Sequence, residues 1–235
     1  MSLADNLRRI QDRIEAARTR AGRDEDVTVL AVGKGRNPAA LRQALEAGLV
    51  HVGENRVQEA AGKWPDLAAE FARVGATRHM IGHLQRNKVG AALELFEVVQ
   101  SVDSLRLGRK ISELSHAAGR RFPVLAQVNG GREAAKHGFD PQEVDAAVAE
   151  LGELPGLEIA GLMVVAPLEA PEPVLRAIFA HARASFERIG VHAAGGSAAG
   201  GNPRHLSMGM SGDYEIAVEE GSTMVRIGTA LFAGP

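Results

Sequence analysis

Short apolar runs rich in β-branched residues alternate with longer segments of helical spacing along almost the whole chain. This alternation is typical of βα units arranged around a parallel sheet. Eight runs are predicted to be strands: Val27–Gly33, Leu49–Gly53, Arg78–Gly82, Phe96–Val102, Phe122–Asn129, Leu157–Val165, His205–Met208 and Thr223–Phe232. Helices are predicted over Leu3–Ala21 and from Pro38, Arg56, Gln85, Ser104, Pro141, Pro171 and Ser211.

Eight such units in 235 residues predict one α/β domain over residues 1–235, a single (β/α)8 TIM barrel with an extra N-terminal helix. The rival fold is an open doubly wound sheet, which would carry a glycine-rich phosphate loop after its first strand. The sequence Gly33-Lys34-Gly35-Arg36 is not such a loop. The stretch Ala193–Asn202, made mostly of alanine and glycine, is predicted to be a loop.

The charge balance and the cysteine count exclude several classes of protein. The 27 basic and 29 acidic residues give a formal net charge of −2, which argues against nucleic-acid and membrane partners. The chain has no cysteine, so disulfides, thiolate metal sites and cysteine nucleophiles are excluded. No apolar run reaches the ~20 residues that cross a bilayer, and the N-terminal segment is amphipathic. We therefore expect a cytoplasmic protein, and the aromatic content of 4% gives no sign of an interface, which favours a monomer.

Lys34 follows the first predicted strand, and the reacting groups of a TIM barrel come from the C-terminal ends of its strands. It is one of five lysines, whereas arginine supplies the other 22 of the 27 basic residues. A buried ammonium is costly, and desolvation lowers the pKa of an amine, as a Schiff-base lysine requires. The alternative is a lysine that reaches from the strand end into solvent, and the spacing alone leaves both open.

The last two predicted strands end in a pattern that favours anion binding. Ser207 lies in the seventh strand, just before a glycine-containing turn, and Arg226, Gly228 and Thr229 close the eighth. Phosphate sites are frequent at this position of a TIM barrel, where glycine lets a ligand approach backbone N–H groups. Ser211 is expected to be the N-cap of the next helix, which leaves the other residues to hold the anion.

A lysine and a phosphate site at one barrel mouth indicate a ligand that is both an aldehyde and a phosphate. Pyridoxal 5′-phosphate (PLP) is one such ligand and the phosphorylated sugar of an aldolase is another, so the residues leave both open. An Arg226 that met a pyridine nitrogen would keep that nitrogen unprotonated and weaken the electron sink. No metal site is expected, because His79 and His83 would stand about 13 Å apart on one strand and no third ligand accompanies them.

Six stretches, which together extend over nearly the whole chain, form a specific pattern. They are Leu30–Lys34, Val52–Glu59, His79–Lys88, Gln127–Asn129 with Lys136–Phe139, Gly161–Met163, and Leu206–Ser211 with Gly221–Phe232. Through them the chain resembles the pyridoxal phosphate homeostasis protein family, which shares its barrel with the N-terminal domain of alanine racemases. One departure follows Lys34, where family members often have threonine and then lysine or valine, and this chain has Gly35 and Arg36.

The resemblance implies a barrel that binds PLP covalently as a lysine aldimine. The cofactor-binding residues that it implies are Lys34, Asn55, Ser207, Arg226, Gly228 and Thr229. Lys34 is similar to the Schiff-base lysine, Arg226 to the pyridine-nitrogen partner and Asn55 to a residue near the ring, while the other three resemble the phosphate cradle. Lys136 matches a family lysine associated with cofactor transfer.

The resemblance also implies a function. It is that of a PLP-binding protein that maintains vitamin B6 and amino-acid pools and passes PLP to apoenzymes, with no catalytic residues and no dedicated turnover. The alternative is a single-domain PLP-dependent amino-acid racemase of low activity. Alanine racemases complete their active site with a tyrosine from a second domain, whereas this chain ends at Pro235, and its one tyrosine, Tyr214, is predicted to lie in a helix.

Overall fold

The computed structural model describes residues 2–131, 137–195 and 204–234, and within them eight parallel strands close into a barrel. The strands are β1 (Thr28–Val32), β2 (His51–Glu54), β3 (Thr77–Met80), β4 (Val98–Val102), β5 (Phe122–Asn129), β6 (Leu157–Val165), β7 (His205–Met210) and β8 (Met224–Ile227). Each strand pairs with the next along the chain, and β8 pairs with β1. The predicted TIM barrel and its eight strands are therefore confirmed.

Helices surround this barrel in the same described residues. They are α1 (Leu3–Ala21), α2 (Pro38–Glu46), α3 (Val57–Lys63), α4 (Ala68–Val74), α5 (Val89–Leu95), α6 (Leu105–Ala117), α7 (Val144–Gly152), α8 (Glu172–Gly195) and α9 (Tyr214–Glu219). The extra N-terminal helix is confirmed with the predicted bounds. Ser2 and Asp5 form a capping box at its start, and Gly22 ends it with a φ of 62°, a conformation that favours glycine.

The strands β5 and β6 are the longest and are buried along almost their whole length. A parallel barrel covers both faces of each strand, so such strands appear in the sequence as nearly continuous apolar runs. Gly161 interrupts β6 with a φ of 145°, and a Cβ at this position would overlap the carbonyl of His205 on β7. The missing side chain therefore lets β7 approach β6 closely at His205, the first residue of β7.

Most predicted boundaries differ from the structure by no more than two residues, and four differ by more. The helix predicted from Gln85 becomes α-helical only at Val89, after a short 3-10 turn. The strand expected to continue to Phe232 ends at Ile227, because the Gly228 carbonyl accepts the N–H groups of Leu231 and Phe232 at 3.1 and 3.0 Å and closes a helical turn. The helices predicted from Pro141 and Ser211 begin three residues later, at the first residues of α7 and α9.

The alanine- and glycine-rich stretch is only partly described. Residues Ala193–Gly195 belong to the end of α8, so the prediction of a loop is wrong for them, and residues 196–202 lie outside the described residues. In the part of the chain that the structure describes, no helix combines the length and the apolar character that a membrane span requires.

Candidate ligand site at the barrel mouth

The C-terminal ends of β8 and β1 lie side by side. Ala31 is in register with Ile227, so Gly228 stands beside Val32, two residues before Lys34. A Cβ at Gly228 would lie 3.4 Å from the Cβ of Val32, which shows how closely the two strand ends approach. The segments predicted to hold an aldehyde and a phosphate therefore meet at one edge of the barrel mouth.

Lys34 is exposed at this mouth, in the turn between β1 and α2. Of the two alternatives for this lysine, the buried ammonium is therefore wrong and the solvent-exposed one is correct. The reason is that β1 ends at Val32, so the chain leaves the barrel wall before the lysine. Its side chain lines a cavity of about 630 Å³, a size typical of small-molecule sites. The residues that line the same cavity include Asn55, Arg56, Glu59, His83 and Lys88.

Asn55 follows β2, lines this cavity and has an unpartnered side-chain oxygen. Its Oδ1 is buried and, among the described residues, accepts no hydrogen bond. Such an oxygen costs on the order of 1–3 kcal/mol, so a ligand that donates a hydrogen bond would relieve it. Gly82, which follows β3, packs directly on the Asn55 backbone, where a Cβ would overlap the Asn55 carbonyl. The loop after β3 therefore fixes the position of Asn55.

Arg226 reaches from β8 into the barrel interior and is 5% exposed. Its guanidinium donates to the Ser207 carbonyl at 2.7 Å, to the Ser207 hydroxyl at 2.9 Å and to the Val164 carbonyl at 2.8 Å. Burial lowers the pKa of Arg226 to about 10, and Asp213 opposes the shift. Within the described residues no carboxylate forms an ion pair with it. The side chain is thus a charged donor that neutral oxygens hold in place.

Ser207 lies behind Arg226, fully buried, and not at the Gly228 turn where a phosphate cradle was predicted. Its hydroxyl donates to Gln100 Oε1 at 2.8 Å. Gln100 Nε2 donates to His79 Nδ1 at 3.0 Å, so the proton of His79 is on Nε2, which donates to His51 Nδ1 at 3.0 Å. Burial lowers the pKa of His51, and that of His79 falls further because His51 and His205 add to the effect. The structure therefore makes Ser207 the first member of a neutral chain of hydrogen bonds that supports Arg226.

Ser211 is the hydroxyl that lies against the β8 turn. Its Oγ accepts the N–H of Ala230 at 3.2 Å. The predicted N-cap role of Ser211 is wrong, because Asp213 is the residue before α9 and its carboxylate accepts the N–H of Met210 at 2.6 Å. A sequence signal for a place at the anion site was present, because Ser211 directly follows the glycine-containing end of β7. A helix cap was the simpler interpretation of the same serine.

A second polar cluster, missed by the sequence analysis, lies at the mouth and consists of His83, Asp103 and His137. The Nδ1 atoms of His83 and His137 lie 2.9 and 3.5 Å from Asp103 Oδ2, and the two rings stack with centroids 3.7 Å apart and planes within 10°. Metal bonds to imidazole lie near the ring plane, so parallel stacked rings do not converge on one ion. This geometry fits two imidazoles that share one carboxylate. Lys136, the neighbour of His137 in the chain, lies outside the described residues.

The fold and these contacts define a class of barrel with an amine at the end of β1 and a buried guanidinium on β8. Residues 6–234 match the family model described as the alanine racemase N-terminal domain. The chain is 38% identical over 232 residues to the pyridoxal phosphate homeostasis protein of Pseudomonas aeruginosa, an alignment that covers 98% of this chain and 95% of that protein. The chain belongs to the pyridoxal phosphate homeostasis protein family, as the sequence pattern predicted.

Two solved structures show how far the barrel is shared. A protein of Bifidobacterium adolescentis described as unknown superimposes with a TM-score of 0.91 at 38% identity, over 98% of this chain and 94% of the other. PipY of Synechococcus elongatus PCC7942, solved with PLP bound, superimposes with a TM-score of 0.81 at 33% identity, over 99% of this chain and 100% of PipY. The likeness therefore extends over the whole barrel.

Proposed function

We propose that the protein binds PLP as an aldimine on Lys34 and carries it in the cytoplasm for delivery to apoenzymes, thereby maintaining vitamin B6 and amino-acid pools. The observation that carries the proposal is the meeting of the Lys34 turn and the Gly228 turn at one edge of the barrel mouth, above the buried Arg226 of β8. The relative PipY, whose structure contains PLP, supports the choice of this ligand over a phosphorylated sugar.

The residues at the mouth fit PLP. Lys34 supplies the amine that the aldehyde needs, and PLP supplies an electrophilic aldehyde when it is bound. Arg226 can only donate, so we assign it to the pyridine nitrogen, which accepts. Asn55, whose Oδ1 has no hydrogen-bond partner among the described residues, lines the same cavity as Lys34. We assign Gly228 and the exposed Thr229 to the phosphate. They lie in the turn after β8, which the bond from the Ala230 N–H to the Ser211 hydroxyl connects to the end of β7.

We propose a carrier without dedicated turnover, because the one tyrosine of the chain does not face the mouth. Tyr214 is 3% exposed and packs with Leu7 and Val218 in the cluster that joins α1 to the outside of the barrel. Burial raises its pKa. A racemase needs a proton donor and acceptor on each face of its substrate, and Tyr214 cannot supply the second one from this position.

Absorption spectra of the purified protein test the cofactor assignment. With added PLP, the wild type and the matched control Lys110→Ala, whose lysine is on the surface of α6, should show an imine band near the blue edge of the visible. Borohydride should abolish the band and leave a phosphopyridoxyl mass on the peptide that contains Lys34. Lys34→Ala should show no band. A wild type that stays colourless with PLP, or a mass adduct on another lysine, would overturn the assignment.

Steady-state assays separate the carrier from the racemase. The expected result is no turnover of alanine or other amino acids beyond the rate of free PLP at the same concentration. Multiple turnovers by the wild type that Lys34→Ala abolishes would replace the carrier with the enzyme. Transfer is tested directly by mixing the loaded protein with a PLP-dependent apoenzyme and following the recovery of that enzyme's activity.

A further inference from the structure

The backbone on both sides of Lys34 is held by side chains of a single helix, α3. The carbonyl of Gly33 accepts a hydrogen bond from Lys63 Nζ at 2.8 Å. The N–H of Gly35 donates to Glu59 Oε2 at 3.3 Å. The two peptide groups that flank Lys34 in the turn after β1 are therefore both tied to α3.

Lys63 is itself fixed by Glu54, the last residue of β2. The two side chains form an ion pair, in which Glu54 is fully buried and Lys63 is 13% exposed. Gly33 makes room for the pair, since a Cβ there would overlap the Glu54 carboxylate. A buried pair must repay the desolvation of two charges, so it contributes little to stability by itself. A contribution to stability therefore does not by itself explain why the Lys63 ammonium also donates to the Gly33 carbonyl.

The turn that carries Lys34 needs an external support. Gly33 and Gly35 flank the lysine, and Gly35 has a φ of 67°, in a region that glycine enters freely. Within the turn itself, the N–H of Arg36 donates to the Gly33 carbonyl at 2.9 Å. That bond closes the turn but does not orient it relative to the cavity. The Gly33 N–H donates to the Gly53 carbonyl of β2 at 2.8 Å, and this bond fixes where the turn begins. Beyond it, the contacts to Lys63 and Glu59 orient the turn, because α3 also borders the cavity through Glu59.

We propose that Lys63 and Glu59 are positioning residues that direct the Lys34 amine at the carbonyl carbon of an aldehyde in the cavity. The inference rests on the proposed function above. The covalent step joins the amine nitrogen to the aldehyde carbon and releases the aldehyde oxygen as water. The nitrogen must approach that carbon closely and from the correct direction, and a displacement of about 1 Å can cost on the order of a hundredfold in rate.

Glu59→Ala is the first test, with Glu113→Ala as the matched control, since Glu113 pairs with Lys110 on the surface of α6. The rate of imine formation with PLP is followed by stopped-flow absorbance, and the free energy of unfolding is measured without PLP. Glu59→Ala should slow imine formation by about tenfold while its stability matches that of the control. Glu59→Gln, which keeps an oxygen to accept the Gly35 N–H, should restore the rate.

The second test is Lys63→Met with Glu54→Gln, which removes both charges of the buried pair together. This variant should also form the imine slowly, whatever its stability, provided that it is folded at the assay temperature.

These outcomes keep the positioning role separate from the proposed function. A wild type that forms no imine refutes the proposed function. A wild type that forms the imine at the same rate as Glu59→Ala refutes the positioning role and leaves the cofactor assignment intact. If the double variant does not fold, the comparison of Glu59→Ala, Glu59→Gln and Glu113→Ala decides alone.

Discussion

The substitution Ser207→Ala tests whether this serine supports Arg226 or holds a phosphate. It removes a hydroxyl and leaves the carbon framework, so it opens little space. Two hydrogen bonds disappear, the one that the hydroxyl donates to Gln100 at 2.8 Å and the one that it accepts from Arg226 at 2.9 Å. Arg226 keeps the carbonyls of residue 207 and of Val164. Gln100 Oε1 loses the donor that the structure gives it.

The expected loss follows from these two contacts. A neutral hydrogen bond contributes about 1 kcal/mol and a charge-assisted one about 2 kcal/mol, and Ser207 is fully buried, so water does not replace them. The free energy of unfolding without PLP should therefore fall by about 3 kcal/mol. For a chain of this length such a loss lowers Tm by about 6 to 12 °C. Urea unfolding followed by circular dichroism, together with calorimetry, measures both quantities.

Ser115→Ala is the matched control. Ser115 is also fully buried, but its hydroxyl has no hydrogen-bond partner among the described residues. Its loss removes an unsatisfied buried hydroxyl, so the free energy of unfolding should stay the same or rise, and alanine favours the helix. The support role is refuted if the two variants are equally stable while Ser207→Ala binds PLP or inorganic phosphate more weakly. The phosphate role predicted from the sequence would then be the correct one.

Three further outcomes are expected. Burial lowers the pKa of three histidines below the ordinary 6.5, so the unfolded chain binds more protons than the folded one below that pH; these are His51, His79 and His205. Stability should therefore be constant above pH 6.5 and fall below it by up to about 1.4 kcal/mol per pH unit for each histidine; an unfolding free energy that stays level from pH 7 to pH 5 would contradict this. Gly161→Ala places a methyl group against the His205 carbonyl and forces alanine to adopt a φ of 145°. Urea unfolding should therefore show that the free energy of unfolding falls by more than about 3 kcal/mol. A loss under about 1 kcal/mol would show that β6 and β7 can move apart. Asn55→Ala removes an unpartnered oxygen, so calorimetry should find the apo protein at least as stable as the wild type while titration finds PLP bound about tenfold more weakly; unchanged affinity would remove Asn55 from the site.

The sequence predicted the barrel well because the strands that build it are buried on both faces. The bounds of β5 and β6 match the apolar runs without any shift, since the pattern and the burial have the same cause. The end of β8 could not be predicted, because apolar residues continue past Ile227 as far as Phe232 and only the bonds to the Gly228 carbonyl turn the chain out of the sheet. The exposure of Lys34 could not be predicted either, because it depends on where β1 ends. The predicted strand continues to Gly33, next to the lysine, whereas β1 ends at Val32.

The contacts in the interior of the site were harder to predict from the sequence, because they join strands that are far apart along the chain. Ser207, Gln100 and His79 come from β7, β4 and β3, and only the stagger of the closed barrel brings their polar atoms within 3.0 Å. In the sequence, the histidine nearest to His79 is His83, four residues further along the chain. The structure instead pairs His79 with His51 and places His83 beside Asp103, so proximity in sequence identified the residues but assigned them the wrong partners.

The partners of Arg226 bear on the choice between storage and catalysis. A guanidinium held by carbonyl and hydroxyl oxygens keeps its full charge at neutral pH, because a pKa of about 10 is well above that range. In the proposed assignment it can donate to the pyridine nitrogen but cannot accept from it, so that nitrogen stays unprotonated and withdraws electrons poorly. The chain from Ser207 to His51 ends in neutral imidazoles, so it does not offer the ring a proton either. Such an environment retains an imine and disfavours most reactions of amino acids on PLP, but it leaves proton transfers such as racemisation, so the choice between a carrier and a racemase rests on the position of Tyr214.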